Sequence, residues 1–343
     1  MLRYIARRVL WGIAMLFIVS AVVFMIFNVF PSADPAKLRA GRNASPDTIR
    51  AIRKELDLNE PIYVQYKNFM FGQDSYVHLQ SSFPFVDVYL HGDANGGVFT
   101  PQFSLGQSYY SQEPVKTIIF DRLPATALLV AGAVVFWLLM GIPIGIISAV
   151  KRGSVWDRTS MVFALIGVSA PVFWLAYLFL YVFWFKLGWA PPSGIPIGES
   201  VIQAVFSGVF ILPWLVLSLT FAAFYARMVR GNLIETMGED YIRTARAKGL
   251  SEKRVIYKHG LRAALTPVVT MFGLDLATLL GGAFITETVF NLPGIGQYAV
   301  RSIFTNDFPS VMGVTLFGAF FIALANLCVD IAYAFLDPRV RYT

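Results

Sequence analysis

The chain has 343 residues, of which 56% are hydrophobic, 15% aromatic and only 14% charged, far below the roughly 25% charged residues of a soluble domain. Its formal net charge is +7 and its mean hydropathy +0.60, with one cysteine, Cys328, and three histidines, His78, His91 and His259. A disulfide scaffold, a Cys/His zinc site and a disordered chain are excluded, and the composition is that of an integral membrane protein.

A lipid-crossing helix needs about 20 mostly apolar residues, and the gaps between charges locate six candidates, near 9–30, 125–150, 159–185, 205–227, 265–288 and 311–335. The first follows Arg3, Arg7 and Arg8 like a signal peptide. Its apolar run is longer than the usual 7–15 residues of a signal core, so it reads as an uncleaved anchor, with Pro-Ser-Ala-Asp-Pro at 31–35 as the place where cleavage would fall. Lys and Arg of short loops mark the cytoplasmic side. With the N-terminus inside, that side holds Arg3, Arg7 and Arg8, then Lys151, Arg152 and Arg158, nine basic residues from Arg227 to Arg262, and Arg339 and Arg341. The short outside loops hold only Lys186 and Arg301. The basic charge is therefore a topology signal, and nucleic-acid binding is not needed to explain it. The expected fold is all-α, with six transmembrane helices and both termini cytoplasmic.

The loop after the first span, about 31–122, is too long for a connector. Residues 46–57 read as an amphipathic helix capped by Ser45 with Pro46 at its first position. Residues 91–112, rich in Gly, Asn, Ser, Tyr and Gln, suggest turns and a short hairpin. This extracytoplasmic segment is either a solvated cap or a docking surface for a soluble partner, and its size favours the second.

Gly141-Ile142-Pro143-Ile144-Gly145 in span two offers small faces for close helix contact and a proline bend. Pro171, Pro213 and Gly281-Gly282 belong to the same class. All of them are expected to serve packing first. The cytoplasmic loop 228–264 is again too elaborate to be a connector. Asp240 is positioned to cap a short helix from Tyr241 to Lys248, ended by Gly249, and Ser251 to cap a second from Glu252 through Val255, Ile256 and Leu261 towards Pro267. Ala245 and Ala247 beside Gly249, bordered by Arg243, Arg246 and Lys248, make a low-profile surface suited to a cleft in another protein. Attraction of this basic segment to anionic lipid is the equal alternative.

Asp275 lies near the middle of span five, where an ionised carboxylate costs about 2.5 kcal/mol or more on insertion scales. It either lines a path and attracts a cationic group such as a peptide amino terminus, or pairs with a polar group. Glu287 and Asp330 lie near span ends, where water is expected to reach them, and read as structural, Asp330 being placed to pair with Arg339 or Arg341. Gly294-Ile295-Gly296 fits a dinucleotide fingerprint on paper but lacks its βαβ context. It is expected instead to turn into a short interfacial helix that includes Tyr298, Val300, Ile303 and Phe304. No metal site, cofactor site, nucleophile elbow or phosphate-binding loop is indicated, so the chain is not read as an enzyme.

The stretch Gly238-Glu239-Asp240-Tyr241-Ile242-Arg243-Thr244-Ala245-Arg246-Ala247-Lys248-Gly249-Leu250, with Lys258-His259-Gly260-Leu261-Arg262-Ala263-Ala264-Leu265-Thr266-Pro267, resembles the cytoplasmic coupling loop of permease subunits of ABC importers, in the variant of the peptide/nickel-type family. Glu287-Thr288-Val289-Phe290, Pro293-Gly294-Ile295-Gly296 and Asp337-Pro338-Arg339-Val340-Arg341-Tyr342 match as well. The general importer signature has Glu-Ala-Ala six to four residues before the glycine; here Arg243, Thr244 and Ala245 stand there, as in the peptide subfamily. The resemblance implies an importer of di- or oligopeptides in the inner (plasma) membrane. Its parts are a second homologous permease subunit, two ATPase subunits that hydrolyse the ATP, and an extracytoplasmic substrate-binding protein. Glu239, Asp240, Tyr241, Arg243, Thr244, Ala245, Arg246, Ala247, Lys248 and Gly249 are the residues it implies for ATPase coupling.

The implied organisation is an N-terminal helix over 1–30, the outer segment 31–122, a five-helix core over 123–336 with the coupling loop 228–264, and a tail over 337–343. Nickel or oligosaccharide import fits the same architecture. A self-contained secondary transporter or channel would need paired intramembrane charges or an internal repeat, and neither is evident in the sequence. A membrane anchor for a soluble complex is the third alternative.

Overall fold

The computed structural model describes the chain except residues 1, 30–33, 41–43, 56–57, 72–75, 79–88, 92–104, 197 and 337–343. In chain order the helices are α1 (Leu2–Phe24, continued by a π-helical turn Met25–Val29), α2 (Pro35–Ala40), α3 (Pro46–Glu55) and α4 (Ile62–Phe71). Two short strands follow, β1 (Tyr76–His78) and β2 (Tyr89–His91), then α5 (Val115–Val150), α6 (Val155–Ser169), α7 (Val172–Phe179, continued by a π-helical segment Leu180–Lys186) and α8 (Val201–Phe206). After them come α9 (Ile211–Met237), α10 (Asp240–Ala247), α11 (Glu252–Arg254, followed by a π-helical turn Val255–Gly260) and α12 (Leu261–Ala264). The last four are α13 (Thr266–Leu280), α14 (Phe284–Val289), α15 (Ile295–Thr305) and α16 (Phe308–Leu336).

Five helical stretches are long and apolar enough to cross a membrane, and α6 with the helix after it supplies a sixth if the pair is one span. Four of the expected spans are present as long helices with shifted ends. The second begins ten residues earlier, at Val115, and the fourth runs to Met237, so Arg227 and Arg230, expected in a loop, are helical. The third is not straight: α6 and the following helix meet at a bend of 101°. Pro171 causes it, since it lacks the N–H that would continue the ladder and biases Ala170 to the extended conformation it adopts. Span five is likewise interrupted after Leu280, where Gly282 takes a φ of +131° and the chain re-enters helix at Phe284.

The chain forms two compact units. The first comprises residues Met1–Gly12, Arg122–Tyr298 and Phe320–Thr343, and α9 is its axis. Its core gathers Leu129, Ala133 and Trp137 of α5, Leu175 and Ala176 of α7, Val216, Ala222, Tyr225 and Val229 of α9, and Val268 and Leu279 of α13. Glycines set the spacing. A Cβ at Gly141 would stand 2.9 Å from the Ala222 carbonyl oxygen, one at Gly145 2.7 Å from that of Ala226, and one at Gly167 2.7 Å from the Ala223 Cβ. The expectation of close crossings at Gly141 and Gly145 is met by contacts nearly backbone to backbone. Together the pairs show that α5 runs parallel to α9, and that α6 runs antiparallel to it.

The second unit comprises Ile13–Asp121 and Ala299–Ala319. Its core is Val23, Phe24, Phe69, Met70, Met312 and Leu316, with the Phe24 ring set edge-on to Tyr66 at 5.2 Å. The Ser45 cap of α3 is present, the Thr48 N–H donating to Ser45 Oγ at 3.2 Å with Pro46 first in the helix. Arg53 pairs with Asp34. Of the turns and hairpin expected within 91–112, residues 92–104 fall outside the described residues, while a tight turn closed by an antiparallel bridge between Gln107 and Pro114 stands at its end; a second pair, β1 and β2, runs antiparallel with Tyr76 opposite His91. The Asp307 carboxylate receives Ser108 Oγ at 2.5 Å, the Tyr109 N–H at 2.8 Å and Ser310 Oγ at 2.6 Å. Burial, and then the Asp307 charge, push the Tyr109 phenol well above its ordinary value. The tail over 337–343, with Arg339 and Arg341, and the cleavage position within 31–33 lie outside the described residues.

Candidate functional site

The short helix expected before Gly249 is α10. Glu239 occupies its N-cap position with extended backbone and no side-chain cap. Asp240, expected to be the cap, sits one residue further on, in the first turn, where its carboxylate favours the helix dipole and lies 3.4 Å from Arg243. Gly249 follows the C-cap residue Lys248 at a φ of +75°, the left-handed position that ends a helix. Ile242 and Ala245, three residues apart, face inward and pack on Val255. Ala245 was expected on the exposed surface and is buried instead; Glu239, Asp240, Tyr241, Arg243, Thr244, Arg246, Ala247, Lys248 and Gly249 are all exposed.

Ser251 stands at the N-cap position of α11 but makes no side-chain cap bond, and the second helix expected through Leu261 is broken into α11, the π-helical turn and α12. Arg246 Nη2 donates to Glu252 Oε1 at 2.7 Å and Arg246 Nε to Oε2 at 3.2 Å, a fork that ties the two helices across the Gly249 turn. The same guanidinium holds the Glu252 carboxyl below its ordinary value. Partial burial, and then Glu239, raise the Tyr241 phenol.

Asp275 lies on α13, half-buried, and its Oδ2 accepts from the Tyr225 hydroxyl of α9 at 2.7 Å. Tyr225 is wholly buried beside the Trp137 ring, 5.8 Å away, which stacks on Phe221 at 4.6 Å. Among the described residues no Lys or Arg stands within ion-pair distance of Asp275. A second tie between α9 and the segment before α13 runs from Asn232 Nδ2 to the Ala264 carbonyl at 3.2 Å.

Two further polar clusters went unread in the sequence. At the end of α9 nearest α10, Asp157 of α6 is 4% exposed and accepts from Arg230 Nε at 2.7 Å, Arg230 Nη2 at 2.9 Å, Ser148 Oγ at 2.5 Å and the Gly153 N–H at 2.8 Å. Asp157 was hidden between loop charges, and Arg230 was counted as one of them. At the far end Glu287 is fully buried, which corrects the expectation that water reaches it. Its carboxylate accepts from Thr126 Oγ1 at 2.8 Å, the Gln297 N–H at 2.9 Å and the Ala283 N–H at 3.3 Å. Thr126 Oγ1 in turn accepts from the Ile295 N–H at 2.9 Å. Gly294 lies so close that a Cβ there would strike the carboxylate. The chain does turn at Pro293-Gly294 into the short helix α15, and the Glu-to-glycine spacing was the available signal that the two motifs meet.

Apolar helices joined at their ends by buried polar clusters define a multi-pass membrane protein. Residues 141–342 match the family described as "Binding-protein-dependent transport system inner membrane component", and residues 1–131 match "Binding-prot-dependent transport system membrane comp, N-term". The chain belongs to this family, the permease subunits of ABC transporters, and lies in the plasma membrane. It is 37% identical over 361 aligned positions to the dipeptide transport system permease protein of Alkalihalophilus pseudofirmus, and 37% over 342 to the glutathione transport system permease protein of Escherichia coli, with all of both chains covered in each case. A putative peptide transport system permease protein of Brucella abortus is 38% identical over 339 positions, 98% of each chain.

Proposed function

We propose that the chain is one of two homologous permease subunits of an ATP-driven importer that passes di- or oligopeptides into the cell. The observation that carries this reading is α10, an eight-residue helix held to the membrane unit by Ile242 and Ala245, with its charged residues and Ala247 turned outward. That surface is the docking element for an ATPase subunit, and closure of the ATPases acts on the spans through it. The peptide class of cargo is supported by the full-length similarity to dipeptide and peptide permeases. Asp275 is assigned to the wall of the path, and an extracytoplasmic binding protein delivers the ligand to the side bearing residues 31–122.

Six spans with both termini cytoplasmic are favoured by chain continuity. α6 starts beside Arg230, at the α10 end of α9, and α9 starts at the opposite end. This favours the bent helix pair as the element that carries the chain across, since among the described residues of 187–210 the one helix is α8, six residues and about 9 Å long. A re-entrant loop would return the chain to the wrong side. On this reading residues 1–30, 31–122, 123–336 and 337–343 are anchor, outer segment, core and tail.

The test is a pull-down of the tagged chain from solubilised membranes, with Ala247→Arg beside it and an ATPase assay on each. Ala247 is exposed, so the change spares the core. An ATPase recovered with the unaltered chain and lost with Ala247→Arg is the expected result; no ATPase with either, or the same amount with both, refutes it.

A further inference from the structure

The cluster at the α10 end of α9 has no part in the reading above. We infer that the Arg230–Asp157 pair is a positioning clamp that makes α5, α6 and α9 move as one body. The inference rests on the docking role proposed for α10.

Arg230 lies seven residues, about two turns, before the end of α9 at Met237, and α10 begins at Asp240. A force on α10 therefore reaches α9 along the chain, and the segment before α13 through Val255 and the Arg246–Glu252 pair. At Arg230 it meets a carboxylate whose two oxygens are both doubly engaged: Oδ1 accepts from Ser148 Oγ and Arg230 Nε, and Oδ2 from the Gly153 N–H and Arg230 Nη2. Those four donors come from the end of α5, the α5–α6 turn and α9, so one buried anion joins all three helices. For stability alone an apolar contact of the same volume would serve as well. What a two-pronged guanidinium–carboxylate pair adds is a fixed distance and angle.

The seam away from the clamp is steric. Gly141 and Gly145 bring α5 against α9, and Gly167 brings α6 against it. Close backbone contact resists approach more than parting; parting is resisted by the ion pair at this end, and further along by Trp214 Nε1 donating to the Leu128 carbonyl at 3.0 Å and the Trp137–Phe221 stack. The segment before α13 and α13 itself meet α9 through two neutral-donor hydrogen bonds, Tyr225 to Asp275 and Asn232 to Ala264, and through apolar packing, with no forked ion pair among the described residues. The fork is thus confined to the joint of α5, α6 and α9.

The experiment uses the complete transporter reconstituted in liposomes with Arg230→Lys, which keeps the charge and removes the fork. Assembled complex, ATP hydrolysis and dipeptide uptake are measured together. In a Cys328→Ser background, spin labels at Thr159→Cys on α6 and Glu235→Cys on α9, both exposed, report their separation with and without ATP. The clamp predicts that Arg230→Lys assembles and hydrolyses ATP, that uptake per ATP falls about tenfold, a typical coupling effect, and that a separation constant in the unaltered complex becomes ATP-dependent. Uptake per ATP equal to the unaltered complex, or a separation that already changes there, overturns it. Should Arg230→Lys fail to assemble, Ser148→Ala removes one donor and keeps the pair. A smaller fall in uptake per ATP then supports the clamp, and none overturns it. An unaltered chain that recruits no ATPase sinks the importer reading instead, which keeps the two failures apart.

Discussion

Replacing Thr126 by Val tests the cluster around Glu287 with almost no change of shape. The Thr126 hydroxyl both donates to Glu287 Oε1 and accepts from the Ile295 N–H, and all three residues are fully buried. Without it a carboxylate oxygen loses a donor and a backbone N–H is orphaned away from water. The orphaned Ile295 N–H costs about 1–3 kcal/mol, and the bond lost to Glu287 Oε1, which keeps the Ala283 N–H, about 1.5–3 kcal/mol, so together the loss is roughly 2.5–6 kcal/mol. Thermal unfolding of the purified chain in detergent should show a midpoint lower by about 5 °C or more. Thr126→Ser, which keeps the hydroxyl and loses a methyl, should fall much less. Equal midpoints for Thr126→Val and Thr126→Ser would refute the claim that the hydrogen bonds, and not the packing of the methyl, hold this end of the unit.

Gly145→Ala places a Cβ 2.7 Å from the Ala226 oxygen and should destabilise by about 1–3 kcal/mol; Gly231→Ala, on the same α9 with open space around it, should be neutral or stabilising, and equal melting of the two variants would contradict the close crossing. The Glu252 carboxyl is held below its ordinary value of 4.5, so its pairing with Arg246 contributes fully above that value and is lost as pH falls through the lower folded value. Hydrogen exchange over residues 240–254 should accordingly quicken on acidification beyond the intrinsic pH effect, and Arg246→Gln should abolish that extra change. Asp275→Asn should lower uptake of peptides with a free amino terminus relative to their N-acetylated forms, and equal uptake of both would remove Asp275 from the path wall.

Hydropathy and charge located the spans because lipid enforces long uncharged runs, and the Gly249 stop and the Ser45 cap were legible because each depends on a few neighbouring residues. What sequence could not place were contacts between distant segments. Asp157 and Arg230 are separated by 73 residues, and Tyr225 and Asp275 by 50, so a lone intramembrane carboxylate could be flagged but its phenol partner could not be named. Glu287 was misjudged for a related reason. Position near a span end suggested water, whereas α15 folds back over it and fills that space with backbone N–H groups. Pro171 was noted as a bend, but its size, 101°, is not a property of one residue that a sequence displays.

The two buried polar clusters also serve as a ruler. Thr126 and Ser148 both lie on α5, 22 residues apart, which a continuous helix converts to about 33 Å. The hydrocarbon layer of a bilayer is about 30 Å thick. The clusters at Glu287 and Asp157 are therefore about one lipid layer apart, with the apolar length of α5 strung between them. Tyr225 is five residues from Arg230 towards the Glu287 end, about 8 Å, so the Asp275 carboxylate that it holds lies nearer the Asp157 cluster than the Glu287 one.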